Sequence, residues 1–370
     1  MHLRRIVHLW KRMEWLSLAA TAALAAVGLL FIYSASVRQD DVQVTAMTLR
    51  QALWVAVGSG ALLALVAVDY RRVARASPLL YAACLALLVL VLLVGRKMYG
   101  ATRWLSLFGV FIQPSEFAKL GTILLIARFL AEPTRNVAHP KTLLITILIA
   151  AAPMALIMQQ PDLGTAATLA PVAFAMLFVA GAPIRHLALL VGVGALGLIP
   201  GWFILDGYQR ERLLVFFDPG RDPLGSGWNS IQSSIAVGSG GLFGKGYLMG
   251  TQNILGFLPR TVAPTDFIFS VIAEETGFIG SLTLLALFAV LLGGGIRAGL
   301  ASRDKAGRLI ATGVVALLCC HVFVNMAMTV GLMPITGLPL PLVSYGGSFM
   351  LSTMAGLGLV QGVYARRIRR

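Results

Sequence analysis

Ten runs of apolar residues, most close to twenty long, divide this chain, and its polar residues fall in short clusters between them. The runs lie at roughly 15–35, 50–68, 78–95, 114–131, 141–159, 163–181, 186–205, 266–293, 308–331 and 347–365. About twenty apolar residues suffice for a helix to cross a bilayer. The pattern therefore predicts an all-α polytopic membrane protein with ten transmembrane helices. The run at 266–293 is longer than a bilayer needs and is expected to tilt or project. Between the seventh and eighth runs, from about 206 to 265, lies a glycine-rich polar stretch read as one long loop. A loop of that length in a compact protein usually carries function. With no internal repeat, low-complexity tract or soluble segment visible, residues 1–370 read as a single membrane domain.

Composition sharpens this picture. The chain is 58% hydrophobic and 12% charged, with mean hydropathy +0.84, which excludes an ordinary soluble domain. The net charge of +15 does not point to nucleic acid, because the basic residues sit in alternate short segments between spans. These are the N-terminus, Arg71-Arg72-Arg75, Arg128 to Lys141, Arg185, Arg297 to Arg308, and Arg366-Arg367-Arg369-Arg370. The positive-inside rule then puts both termini in the cytoplasm and the 206–265 loop outside. Arg96, Lys97 and Arg103 fall on the outer side; with Tyr99, Trp104, Phe108 and Phe111 interleaved, that stretch reads as an interfacial segment lying on the outer leaflet. The first apolar run is too long for a signal-peptide core and reads as an uncleaved helix. Cys84, Cys319 and Cys320 lie in apolar runs without disulfide or metal spacing. His321 reads as a packed, satisfied core histidine.

A few polar residues stand where chemistry is possible. Asp266, in Pro264-Thr265-Asp266-Phe267, sits where the long loop re-enters the membrane. It reads either as a general base for a lipid-linked substrate or as the N-cap of the eighth helix. Glu116 and Lys119 share one face of the fourth helix, as a structural ion pair or a functional one. Asp162 lies in a turn and reads as a turn or cap residue. The loop carries Tyr208-Gln209-Arg210 and Gly238 to Gly246 with Lys245, which reads as a phosphate cradle or as a flexible turn. The Pro339-to-Ser348 run, with Ser344, implies irregular backbone lining protein or a cavity.

Taken together, these motifs resemble the SEDS family of bacterial cell-wall proteins over nearly the whole chain. The likeness runs through Arg103-Trp104-Leu105, Gln113-Pro114-Ser115-Glu116-Phe117-Ala118-Lys119, Gln160-Pro161-Asp162-Leu163-Gly164-Thr165 and Tyr208-Gln209-Arg210. It continues through Gly238 to Gly246, Gly250-Thr251-Gln252, Thr265-Asp266-Phe267-Ile268-Phe269, Ala273-Glu274-Glu275 and the Pro339-to-Ser348 run. The glycine-rich loop is similar to the elongation branch of the family more than to the division branch.

The resemblance implies a peptidoglycan glycosyltransferase serving lateral wall elongation and rod shape. Such an enzyme polymerises lipid II outside the membrane, transferring glycan from an undecaprenyl-diphosphate-linked donor to the 4-hydroxyl of lipid II with inversion. It implies Asp266 as the essential base, with Arg103, Glu116, Lys119, Asp162, Arg210, Lys245 and Ser344 as substrate-binding candidates. The implied partners are lipid II, the nascent glycan strand, a class B penicillin-binding protein and other elongation-complex membrane proteins. A divalent cation, Mg or Mn, is the candidate cofactor, and no organic cofactor is expected. One departure stands out. The family usually reads Pro-Glu-x-His before Thr-Asp-Phe, whereas here Pro259-Arg260-Thr261-Val262-Ala263-Pro264 is two residues longer and lacks both the acid and the histidine. The alternative reading is a lipid II flippase.

Overall fold

The computed structural model describes residues 9–36, 44–98, 101–107, 109–205, 207–222, 225–259 and 262–367. The first half comprises α1 (Trp15–Ser36), α2 (Val44–Ala67), α3 (Tyr70–Val94), strands β1 (Arg96–Met98), β2 (Ala101–Leu107) and β3 (Val110–Ile112), then α4 (Pro114–Ala131), α5 (Pro140–Met158), α6 (Leu163–Ala180) and α7 (Ile184–Ile204). The polar insertion supplies α8 (Gly207–Phe217), a 3-10 turn at Pro219–Arg221, α9 (Ser226–Ser239) and the one-turn α10 (Thr251–Ile254). The chain closes with α11 (Ile268–Ala301), α12 (Lys305–Thr329) and α13 (Gly347–Ala365).

Among the described residues, nine of these helices are long and apolar enough to cross a membrane, so the protein is a multi-pass membrane protein. A tenth long helix, α4, fills the remaining expected place but carries Glu116, Lys119 and Arg128. Local signals set the helix ends. Pro114 and Pro140 open α4 and α5 at positions that need no amide hydrogen. Asp162 caps α6, its carboxylate accepting from Thr165 N at 3.2 Å, and Gly181 closes that helix in the left-handed region at φ +93°. The third span starts earlier than the apolar run: Asp69 caps α3 by accepting from Arg71 N, so the basic segment before Pro78 is helical.

Burial ranks the helices. The α13 span is 83% buried and the α7 span 6%, so α13 forms the centre of the bundle and α7 its rim. At one end Arg297 bonds Glu14 at 2.8 Å, Arg71 bonds Asp304 at 2.7 Å and Arg366 donates to Ala67 O at 3.1 Å. The segments before α1 and after α13, and the turns α2–α3 and α11–α12, therefore share one basic face.

Two expectations need correction. The fold is not purely helical. The stretch expected to lie as an interfacial segment forms a three-stranded antiparallel sheet, pairing Arg96 with Trp104 and Leu105 with Ile112. β-branched Thr102, Val110 and Ile112 suit strands, and Gly109 turns β2 into β3 at φ +82°. Tyr99 and Phe108 lie outside the described residues. Nor is the 206–265 insertion one long loop, since much of it is helical.

The glycine-rich part of the insertion straps α11. That helix is interrupted at Gly277, φ +68°. Across the break Phe278 N donates to Gly241 O at 2.8 Å, and Ile279 N to Leu242 O at 3.1 Å. In return Lys245 N donates to Glu274 O and Gly246 N to Glu275 O, both at 3.0 Å. The strap thus replaces hydrogen bonds that the helix loses at the break. A methyl added at Gly277 would lie 2.3 Å from Gly244 N, so the contact requires glycine. The sequence leaves a phosphate cradle or a flexible turn open here; Lys245 N and Gly246 N bond helix carbonyls and do not form a cradle.

Candidate active site

Pro264, Thr265 and Asp266 are held by their backbone. Their three successive carbonyls each accept one hydrogen bond. Tyr345 N donates to Pro264 O at 2.9 Å, Ser344 Oγ to Thr265 O at 2.6 Å and Asn325 Nδ2 to Asp266 O at 2.9 Å. Asn325 spends its second amide hydrogen on Leu338 O at 2.7 Å. Ser344 Oγ accepts from Leu340 N at 2.8 Å, and Gln51 of α2 brackets the next turn by donating to Ser344 O and accepting from Gly346 N, both at 3.2 Å. The irregular Pro339-to-Ser348 run is therefore a buried clamp for the loop before α11. Leu340, Leu342, Val343 and Ser344 are all buried, as irregular backbone at membrane depth requires.

Asp266 does not cap α11: Phe267 takes that position and no side chain bonds the first turn. Its carboxyl instead faces charge. Burial pushes it up to about 6; Arg212 and Arg103 pull it down, and Asp162 raises it further. A methyl added at Gly337 would stand 3.5 Å from Asp266 Oδ2 and 4.0 Å from Arg212 Nη1, so both groups flank that glycine. Arg212 Nη1 also donates to Ile335 O at 3.2 Å. Gly164, two residues after Asp162, packs against Thr336, where a methyl would meet Thr336 O at 2.5 Å. Arg103 of β2 lies 3.6 Å from Asp162 Oδ1 and donates to the carbonyls of Gln160 and Pro161. Gln113 Nε2 donates to Asp162 Oδ2 at 3.4 Å. Asp162 is thus both a helix cap and part of the charged group around Asp266.

Below this group lies a second polar chain. Lys119 Nζ bonds Glu116 Oε1 at 2.9 Å and His321 Nε2 at 3.0 Å. His321 Nδ1 lies 3.2 Å from Pro339 O. A carbonyl can only accept, so Nδ1 carries the proton and Nε2 accepts from the ammonium. Ser352 Oγ donates to Glu116 Oε2 at 3.3 Å, and the Phe349 ring packs on Lys119 and His321. All four polar side chains are buried. The ion pair expected from spacing is present, and His321 is packed and satisfied. The chain ends on Pro339, next to the Leu338 carbonyl that Asn325 holds.

Two expected cations have other partners. Lys245 Nζ pairs with the fully buried Glu274 at 2.6 Å and bonds Thr251 Oγ1 at 2.7 Å. Arg210 donates to Phe203 O at 2.7 Å, and Arg212, not Arg210, bears on Asp266. Sequence reasoning missed Arg212 and Asn325. Arg212 lies one helical turn from the buried Gln209 on α8, the signal that it faces inward. Among the described residues no three His, Cys, Asp or Glu side chains group as a metal site. Arg260 and Thr261 of the unusual loop lie outside the described residues.

A multi-pass helical bundle with a clamped, partly neutralised carboxylate at one end of a polar interior is the class this geometry defines. Residues 14–368 match the FtsW/RodA/SpoVE cell cycle protein family, and the chain belongs to it. It is 44% identical over 294 residues to the peptidoglycan glycosyltransferase MrdB of Escherichia coli K12, covering 79% of this chain and 78% of that one. It is 34% identical to the peptidoglycan glycosyltransferase RodA of Treponema pallidum, covering 96% and 98%. Among solved structures it is similar to the rod shape determining protein RodA of Thermus thermophilus, with TM-score 0.72, 33% identity and coverage of 97% and 98%. A chain from a structure on the coordination of polymerization and crosslinking by a peptidoglycan synthase complex aligns at TM-score 0.80 and 35% identity, covering 97% and 99%. The protein is a peptidoglycan glycosyltransferase of this family.

Proposed function

We propose that the protein polymerises lipid II, with Asp266 as general base. The supporting observation is the clamp: hydrogen bonds to the carbonyls of Pro264, Thr265 and Asp266 hold this turn while the Asp266 carboxyl, raised to about 6, feels the charge of two arginines. A base poised near working pH is the kind that general-base catalysis favours. Asp266 takes the proton of the acceptor 4-hydroxyl as that oxygen attacks the anomeric carbon of the donor. The bond to the undecaprenyl diphosphate breaks on the opposite face, which inverts the centre. The departing diphosphate carries negative charge, and Arg212 and Arg103 are placed to stabilise it. Glu116, Lys119 and His321 hold the polar interior beneath, and Ser344 acts through the Thr265 carbonyl. If the reaction uses a Mg or Mn ion, Asp162 and Asp266 are the carboxylates that would hold it beside the substrate phosphate, and it would supply charge neutralisation there.

In this reading all ten long helices span the bacterial inner membrane as one unit over residues 1–370. The basic face, with both termini, is cytoplasmic, and the insertion and small sheet lie outside. The related synthase complex couples polymerization to crosslinking, and a class B penicillin-binding protein is the matching partner here. Purified protein incubated with lipid II tests the activity: glycan strands should form, and transfer of lipid II between leaflets without polymer would favour the flippase. Phe243, 79% exposed on the insertion, tests the topology. Phe243→Cys should react with an impermeant thiol reagent from outside the cell; labelling from the cytoplasm alone contradicts the orientation.

A further inference from the structure

The structure holds a cavity of about 480 Å³ at the basic end of the bundle, between α3, α4 and the start of α12. Arg71 and Arg75 reach it from the first turns of α3, and Arg128 from the last turn of α4. Its wall is apolar, with Leu125 and Phe129 among the lining side chains. Arg128 lies twelve residues after Glu116 on α4, which puts the cavity roughly 18 Å along the helix from the polar interior. The catalytic reading uses none of these arginines.

The charges around it are unequally matched. Arg71 is paired with Asp304 at 2.7 Å, and Glu132, also at the rim, is paired with Arg135. Arg75 and Arg128 have only carbonyl partners among the described residues: Arg75 Nε donates to Arg71 O at 3.4 Å, and Arg128 Nη1 to Arg75 O at 2.5 Å. Both arginines are exposed at the bundle surface. Two cations without carboxylate partners, above an apolar wall and beside membrane spans, fit a ligand with an anionic head and a hydrocarbon body. Basic pockets between transmembrane helices recognise lipid head groups in this way, and guanidinium groups match phosphate oxygens with paired hydrogen bonds.

We propose that this cavity is a binding site for an anionic phospholipid. The phosphodiester sits between Arg75 and Arg128, and the start of an acyl chain lies along Leu125 and Phe129. The site lies at the end of the protein away from Asp266, so it can hold a resident lipid while the enzyme turns over.

Native mass spectrometry on the full chain in detergent tests this with phosphatidylglycerol, phosphatidylethanolamine, glycerol 3-phosphate and inorganic phosphate as separate probes. The parent should retain phosphatidylglycerol in preference to phosphatidylethanolamine, and neither soluble phosphate should compete. At about 1 kcal/mol per arginine, R75Q/R128Q should bind roughly thirtyfold more weakly. R185Q, which removes an exposed arginine outside the cavity, should bind as the parent does. Ala131→Phe fills the cavity and leaves every arginine in place; it should also lose the lipid, so the outcome does not depend on the double variant folding. Equal retention of the two lipids, an equal loss in R185Q, or parent-like binding by Ala131→Phe would overturn the proposal. Competition by inorganic phosphate at the same concentration would make it a soluble-anion site instead.

Discussion

The side-chain amide of Asn325 joins two backbone segments: its Nδ2 lies 2.9 Å from Asp266 O and 2.7 Å from Leu338 O. A residue buried in α12 thereby ties the loop before α11 to the irregular run that packs on His321. Asn325→Ala leaves both carbonyls without their donor and frees the Asp266 backbone. A misplacement of ~1 Å can cost about 10²-fold in rate. Steady-state assays should show that loss mainly in kcat, with little change in KM. A change confined to KM would place Asn325 in substrate binding instead.

Glycan synthesis should depend on the ionisation of Asp266. The deprotonated form is the base, and burial holds its pKa at about 6. Activity should be constant above that value and fall about tenfold per pH unit below it. Arg212 lowers the pKa, so Arg212→Gln should move the acid limb to higher pH as well as slow turnover. A limb that stays in place in this variant would remove Arg212 from the electrostatics of the base.

The buried chain Glu116–Lys119–His321 predicts strong coupling. Glu116→Gln or Lys119→Met alone leaves its partner charged and unpaired at membrane depth, which typically costs about 3–5 kcal/mol. The double variant removes both charges and should be closer to the parent in thermal stability than either single. Additive single effects in this cycle would contradict the pairing.

The clamp also bears on the altered loop before Asp266. Pro259 and Pro264 restrict their own φ and the residues before them. The Pro264 carbonyl is bonded by Tyr345 N, and the Pro259 carbonyl accepts from Val262 N and Ala263 N. Replacing both prolines by alanine keeps these acceptors, so turnover should fall less than in Ser344→Ala, which removes the donor to Thr265 O. Single-turnover rates on lipid II compare them, and a larger loss in the proline variant would make ring restraint the dominant positioning device.

Which parts of this architecture could be read from sequence follows from the range of the interactions. The spans were legible because crossing a bilayer needs long apolar runs, and the Glu116–Lys119 pair because three residues bring side chains to one helix face. The sheet was hidden: its strands are three to seven residues long, and basic residues mixed with aromatics read equally well as an interfacial segment. The break at Gly277 follows Glu274-Glu275-Thr276 in sequence but depends on carbonyls and amides of a distant strap. The clamp joins residues 59 and 79 positions apart, and no local pattern encodes such pairs. Arg210 and Arg212 are two apart in sequence, and only the helical geometry of α8 separates their faces.

Asp266 is proposed here as the base of a lipid II polymerase. Asp266→Asn keeps the size of the side chain and leaves untouched the three carbonyls that the clamp binds. Polymerisation of lipid II by the purified variant should fall on the order of 10²–10⁴-fold, with thermal stability near that of the parent. Glycan synthesis by a folded Asp266→Asn variant at the parent rate would exclude Asp266 as the base.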